Sequence, residues 1–221
     1  MRFIITAFLI TIAALGSVSV AYPKATDHSD RWQLTFETTG LRFFRDSRTG
    51  HGYWVMVYEV TNETESDQRW VPSFTLITDQ GEVLDAGSDV PRRIQISILE
   101  MFGDVLLEMQ SEVSSALLKG EENASRGLVV WKAGREDVRA LQVFVSGVSG
   151  DIAKVTHPLT GEEVVLHRDL QLSWIVPGRV VGDLRPLPRR SVGGGVSVRR
   201  PSNKEVETSA ADQVFRRGVF R

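Results

Sequence analysis

Between Tyr53 and Val60 the chain reads Tyr-Trp-Val-Met-Val-Tyr-Glu-Val, a run with a single charged residue. Successive strand residues point to opposite faces, so Tyr53, Val55 and Val57 share one side and Trp54, Met56, Tyr58 and Val60 the other. A strand apolar on both faces needs a layer packed against each, which places it at the centre of a sheet. A polar bend from Asn62 to Arg69 succeeds it, then a second apolar run from Trp70 to Thr78, the turn Asp79-Gln80-Gly81 and Glu82-Val83-Leu84. Val, Tyr, Trp and Phe fill the runs while polar residues and Gly fill the breaks, predicting strand, turn, strand, tight turn, strand.

The same logic extends outward. Trp32, Leu34 and Phe36 alternate with Gln33, Thr35 and Glu37, Thr39-Gly40 interrupts, and Leu41 to Phe44 resumes before the loop Asp46 to Gly50. At Ser88-Asp89-Val90-Pro91 the pattern changes. Asp89 is a candidate cap, Pro91 suits a first turn, and Ile94, Ile98, Met101 and Phe102 form one helical face that stops at Gly103. A weaker helical spacing continues in Leu106, Met109, Val113 and Leu117, with helix-poor Ser111, Ser114 and Ser115 among them. The two make a helical insertion over about 89–119, a long connection of the kind where function tends to sit. Strands resume with Leu128 to Trp131 and with Leu141, Val143 and Val145. The turn Gly147 to Asp151 comes next, then a long alternation of Val164, Leu166, Leu170, Leu172, Trp174 and Val176 against His167, Asp169, Gln171 and Ser173. Only Arg168 breaks the dry side of that last strand, and its polar side predicts an edge or outer strand with one face in water.

Both ends differ from this middle. Arg2, the apolar run Phe3 to Leu15 and the small residues Ser19-Val20-Ala21 predict a signal peptide over 1–21, cleaved after Ala21, with 22–30 as a polar leader. The alternative is an uncleaved anchor, the one route by which the chain would contact a membrane. From Pro177 onward ten basic against four acidic residues leave +6, and −8 before it, from a total of −2. Pro186, Pro188, Gly193 to Gly195 and Pro201 abolish periodicity, and Val214-Phe215 and Val219-Phe220 are too few to build a core, so 179–221 reads as a disordered basic tail. The remaining 31–178 forms one domain, and a domain of about 150 residues buries roughly 68–70% of its unfolded surface without staples. None are on offer: the sequence has no cysteine, which excludes disulfides, thiolate zinc sites and cysteine nucleophiles and fits a bacterial, periplasmic or extracellular setting.

The run Tyr53 to Asn62, followed by Pro72-Ser73-Phe74-Thr75-Leu76-Ile77-Thr78-Asp79-Gln80-Gly81, resembles the immunoglobulin-like modules of unknown function found in bacterial secreted proteins and lipoproteins. Those share a strand ending in Thr-Asn, then Pro-x-Phe-x-Leu, then Asp-x-Gly, and later a pair of glycines before an apolar strand, as at Gly120, Gly127 and Leu128 to Trp131. The resemblance covers about a third of the chain and departs from the family in its large insertion and in lacking a lipoprotein cysteine. It implies a mainly β, immunoglobulin-like two-sheet sandwich of about seven to nine strands with a short helical insertion. It brings no catalytic residue with it.

Candidate chemistry is sparse. His28, His51, His157 and His167 are isolated, without metal-ligand spacing. Gly147-Val148-Ser149-Gly150-Asp151 lacks the spacing and the strand-to-helix context of a nucleophile elbow. Acids gather at Glu63, Glu65 and Asp67 and at Asp79, Glu82, Asp85 and Asp89, without a calcium-loop pattern. Of five tryptophans, Trp54, Trp131 and Trp174 fall on core faces, while Trp32 and Trp70 stand near strand starts where exposure would make a sugar platform. Asn62-Glu63-Thr64 and Asn123-Ala124-Ser125 fit the glycosylation acceptor pattern. In the tail, Arg185, Arg189, Arg190, Arg199 and Arg200 are candidate contacts to an anionic polymer. The sequence thus predicts an exported, non-enzymatic binding or structural protein of the cell envelope, without catalytic, metal or cofactor residues, whose partner is an envelope protein or an anionic polymer. The alternatives are a hydrolase or carbohydrate-active domain using the acidic loops, and nucleic-acid binding through the tail.

Overall fold

The computed structural model describes residues 31–113, 115–157, 159–180, 182, 184–190 and the backbone of 196–201. The export segment 1–21, the leader 22–30 and the tail beyond 201 lie outside the described residues. In chain order the elements are β1 (Thr35–Arg45), β2 (Gly52–Asn62), β3 (Gln68–Arg69), β4 (Ser73–Thr78), β5 (Val83–Asp85) and α1 (Arg92–Phe102). They continue with β6 (Leu107–Met109), β7 (Ala116–Leu117), β8 (Gly120–Lys132), β9 (Ala140–Ser146), β10 (Ile152–Thr156), β11 (Glu163–Ile175) and β12 (Val196–Pro201). They form a β-sandwich. One sheet runs β1-β2-β8-β6, the other β10-β11-β9-β4-β5 with β12 on the second edge of β11, and β3 and β7 make a small ribbon.

The doubly apolar run is β2, and each of its faces meets a different layer. Trp54, Met56, Tyr58 and Val60 face the second sheet, where Phe74, Leu76, Leu141, Val143, Val145, Leu172 and Trp174 complete the interior. Tyr53, Val55 and Val57 face outward and lie with Leu128 and Val130 beneath Ile94 and Ile98 of α1. The helix is the cover that the second apolar face requires, and each such side chain removed from water contributes about 1.5–3 kcal/mol. The break at Thr39-Gly40 is a bulge within β1, where the register to β2 shifts between Thr38 and Leu41 and Gly40 takes φ 105°.

Four sequence expectations are corrected. Asp89 does not cap α1: it sits at φ 56° in the preceding turn, and the cap position is Pro91, extended and without a side-chain hydrogen bond. Met101 is exposed, so the buried stripe of α1 is Ile94 and Ile98 with Phe102 packed at its end. Among the described residues the second helix is absent. Leu107 and Met109 are buried on either side of exposed Glu108, the period of a strand, and β6 pairs parallel with β8. The four-residue spacing of Met109, Val113 and Leu117 reflects separate segments that each reach the core. Finally, β11 is not an edge. β10 and β9 pair along one side, and β12 along the other, and Asp169 on the supposedly wet face is buried.

Two chain segments stitch the sheets together. Trp32 to Leu34 runs beside the loop between β9 and β10, with Leu34 N donating to Val148 O and Gly150 N to Trp32 O, before the chain crosses into the other sheet as β1. On the far side, Leu184 N donates to Phe43 O and Leu187 N to Leu41 O along β1. Ile175 N then donates to Pro188 O, and Arg190 N to Ser173 O, along β11. The chain after Gly178 therefore first straps the β1 edge to the β11 edge.

Candidate interaction site

Most of the polar residues singled out in the sequence serve the fold. Trp70 is buried, as are Trp54, Trp131 and Trp174, and Trp32 is half-buried against the core, so no tryptophan offers a sugar platform. Four of the seven acids are engaged by separate partners within the fold: Glu63 accepts from Thr35 Oγ1 at 2.6 Å, Asp67 from Lys119 N at 3.0 Å, Asp79 from Arg139 N at 3.1 Å and Asp85 from Thr75 Oγ1 at 3.2 Å. Among the described residues no group of three metal-ligating side chains comes together. His51 and His167 are exposed, and His157 Nδ1 accepts from Leu159 N and Thr160 N in the β10–β11 turn. His28 lies outside the described residues. Ser149 Oγ accepts from Asp151 N, which makes it a turn residue.

Asn62 is a further correction. It is wholly buried, with Nδ2 donating to Ser66 O and Leu117 O, both at 3.0 Å, and Oδ1 accepting from Thr64 N and Oγ1. All four of its hydrogen-bonding positions are used inside the fold, so it is no glycosylation acceptor. In the tail, Arg185, Arg189 and Arg190 are exposed on the strap, whereas the side chains of Arg199 and Arg200 lie outside the described residues.

Buried ionic groups also tie elements together. Arg168, the one charge on the dry side of β11, donates from its guanidinium to Asp151 Oδ2 at 3.0 Å, and Arg31 N donates to Asp151 Oδ1 at 2.9 Å. The pair joins the start of the domain, the β9–β10 loop and β11. Asp46 accepts from Arg93 of α1 at 2.8 Å and from Thr49 Oγ1 at 2.7 Å. The Arg93 guanidinium and then the Thr49 hydroxyl hold this carboxyl well below the usual carboxylate range. Tyr58 donates its hydroxyl proton to Gln110 Oε1, and burial pushes the phenol upward. These contacts fix the helix and the loops to the sandwich.

What the fold leaves outside is the turn from α1 into β6. Val105 is 95% exposed, Leu106 68% and Met101 51%. The turn cannot retract them: Gly103 ends the helix in the left-handed region, Asp104 Oδ1 accepts from Leu106 N at 3.0 Å, and Leu107 must point inward for β6 to pair with β8. No Lys or Arg occurs between Arg93 and Lys119, whereas Glu100, Asp104, Glu108 and Glu112 recur every fourth residue. Asp104 is bound to Arg126, and Glu112 to Arg92 at 3.1 Å. Glu100 and Glu108 are exposed. The turn is thus an apolar knuckle bordered by carboxylates, at the end of the sandwich that also exposes Val71 and Leu118. Sequence reading missed it because Leu106 counted as the first residue of a helix. The available signal was the adjacent pair Val105-Leu106 between Asp104 and Glu108, with no polar partner at strand spacing.

Comparison with known proteins returns no match, whether against family models, curated proteins or solved structures.

Proposed function

We propose that this chain is an exported, non-enzymatic binding module of the cell envelope that engages its partner through the knuckle at Met101, Val105 and Leu106. The exposure of these three side chains on a rigid turn carries the reading. Unpartnered apolar side chains rimmed by polar ones mark interaction surfaces, and a turn anchored by a helix end and a paired strand presents them without ordering cost. The acids and tryptophans that a hydrolase or carbohydrate-active domain would spend on substrate are committed to turns and core, which favours binding over catalysis. The N-terminal apolar run and the cysteine-free composition support export. A site-specific photo-cross-linker tests the reading. Placed at Val105 in the full chain, it captures a discrete envelope component, and placed at exposed Arg135 it does not. Capture that is equal at both positions, or that survives Leu106→Asp with Met101→Asp, refutes it. N-terminal sequencing that finds Met1 retained would refute export by a cleaved signal.

A further inference from the structure

The knuckle asks for an occupant that is apolar and basic together, and this chain contains one such segment. Val214-Phe215-Arg216-Arg217-Gly218-Val219-Phe220-Arg221 holds four apolar residues, three arginines and no acid. We infer that Val214–Arg221 docks on the α1–β6 knuckle of the same molecule, covering Val105, Leu106 and Met101 with its Val-Phe pairs and placing Arg216 and Arg217 against Glu100 and Glu108. The inference rests on reading the knuckle as a docking surface and names its first occupant.

Three observations converge on it. First, the charges are complementary: the knuckle segment has four acids and no base of its own, and the tail segment is the reverse. Second, the tether reaches. The backbone of β12 brings Pro201 opposite Leu166 on the part of β11 that pairs with β10, beyond the β9 pairing and at the same end of the sandwich as the knuckle. The twelve residues Ser202 to Gln213 can span about 40 Å when extended. β12 lies on the β1 side and β6 at the opposite edge, about four strand spacings or ~19 Å across, which with ~20 Å between the outer sheet and the helix layer makes a separation of about 28 Å. Third, Ser202 to Gln213 contains neither Pro nor Gly and only Val206 among large apolar residues, so it competes poorly for the apolar surface. Tethering gives the tail an effective concentration of order millimolar at the knuckle, which makes a weak contact sufficient. A partner must then displace the tail, and the module is restrained by its own chain until a better apolar and basic ligand arrives.

The absence of cysteine makes the test clean. Ser209→Cys in the full chain accepts one spin label just upstream of the docking segment. Amide signals of residues 100–108 should lose most of their intensity, those of the opposite end, such as Gly81 and Gly134, should keep theirs, and Phe215→Ser with Phe220→Ser should restore the former. Glu100→Lys with Glu108→Lys should also restore them, and adding Arg216→Glu with Arg217→Glu should bring the loss back. Uniform or absent broadening overturns the inference, as does broadening transferred to an unlabelled copy mixed in, which would place the tail on a second molecule. If broadening is absent while the cross-linker at Val105 still captures its component, the tail contact alone is lost and the binding module stands.

Discussion

The ring of Tyr58 lies over Gly127, its register partner on β8: a Cβ there would stand 2.3 Å from Cζ and 2.4 Å from the hydroxyl oxygen. The ring crosses β8 at that point to reach Gln110, and Phe36 stacks on it with ring centres 5.2 Å apart. Gly127→Ala should therefore cost about 1–3 kcal/mol through forced repacking, seen as a lower denaturant midpoint at an unchanged slope. Combining it with Tyr58→Leu should remove most of the alanine's own penalty, because the clash is with that ring. A fully additive cycle would place the strain elsewhere.

Asn62 closes the end of β2 as Gly127 closes its middle. Asn62→Asp replaces both Nδ2 donors with an oxygen facing Ser66 O and Leu117 O, leaving buried acceptors opposed. The expected loss is about 2–4 kcal/mol, larger than for Asn123→Asp, whose amide donates only to Lys119 O at the surface. Chemical unfolding of the two variants side by side checks the order.

The residues that were legible and those that were not divide along a physical line. β9 and β11 could be read because burial of one face imposes a period of two, and β2 and β4 because β-branched and aromatic residues fill short apolar runs bounded by turn residues. Arg168 was visible as an intruder on the dry face of β11, but its partner was not, since Asp151 stands 17 residues away in a loop and nothing local marks it. Asp169 was misread for the complementary reason: alternation tells which residues share a face, not whether another layer covers that face. The helical reading of Leu106 to Leu117 failed because a spacing of four arises equally from one helix and from short segments that reach the core in turn. Of the two residues on which the proposed contact rests, Leu106 was hidden because it counted into a helical face, and Val105 because it fell outside every periodic pattern.

The Asp46 carboxylate makes an acid-dependent prediction. Its folded pKa is depressed below the ordinary 3.8, chiefly by Arg93 and Thr49, so its contribution is complete above that value and is lost as pH falls toward the folded pKa. The stability gap between the parent chain and Asp46→Asn should be widest near neutral pH and should narrow steadily below the ordinary carboxylate value. Arg93 is partly exposed, so added salt should shrink the gap as well. A gap independent of pH would mean that the pair contributes only through shape.

The strap from Val180 to Arg190 makes the last prediction and limits how any experiment on the tail is designed. Val180 is buried, and Leu187 packs against the interior. The strap also donates to Leu41 O and Phe43 O and accepts from Ile175 N, groups that would otherwise line two open sheet edges. A chain ended after Gly178 should lose about 2–4 kcal/mol from those side chains and hydrogen bonds. For a domain of this size that lowers the melting temperature by roughly 5–15 °C. A chain ended after Arg190 keeps the strap, loses the backbone pairing of β12 to β11 and should melt between that truncation and the parent. Equal melting of the two truncations would show that the strap merely lies on the sandwich. If they differ as expected, loss of binding on cutting at Gly178 reports an opened sandwich, and a cut after Pro201, which keeps both the strap and β12, isolates what the residues beyond it do.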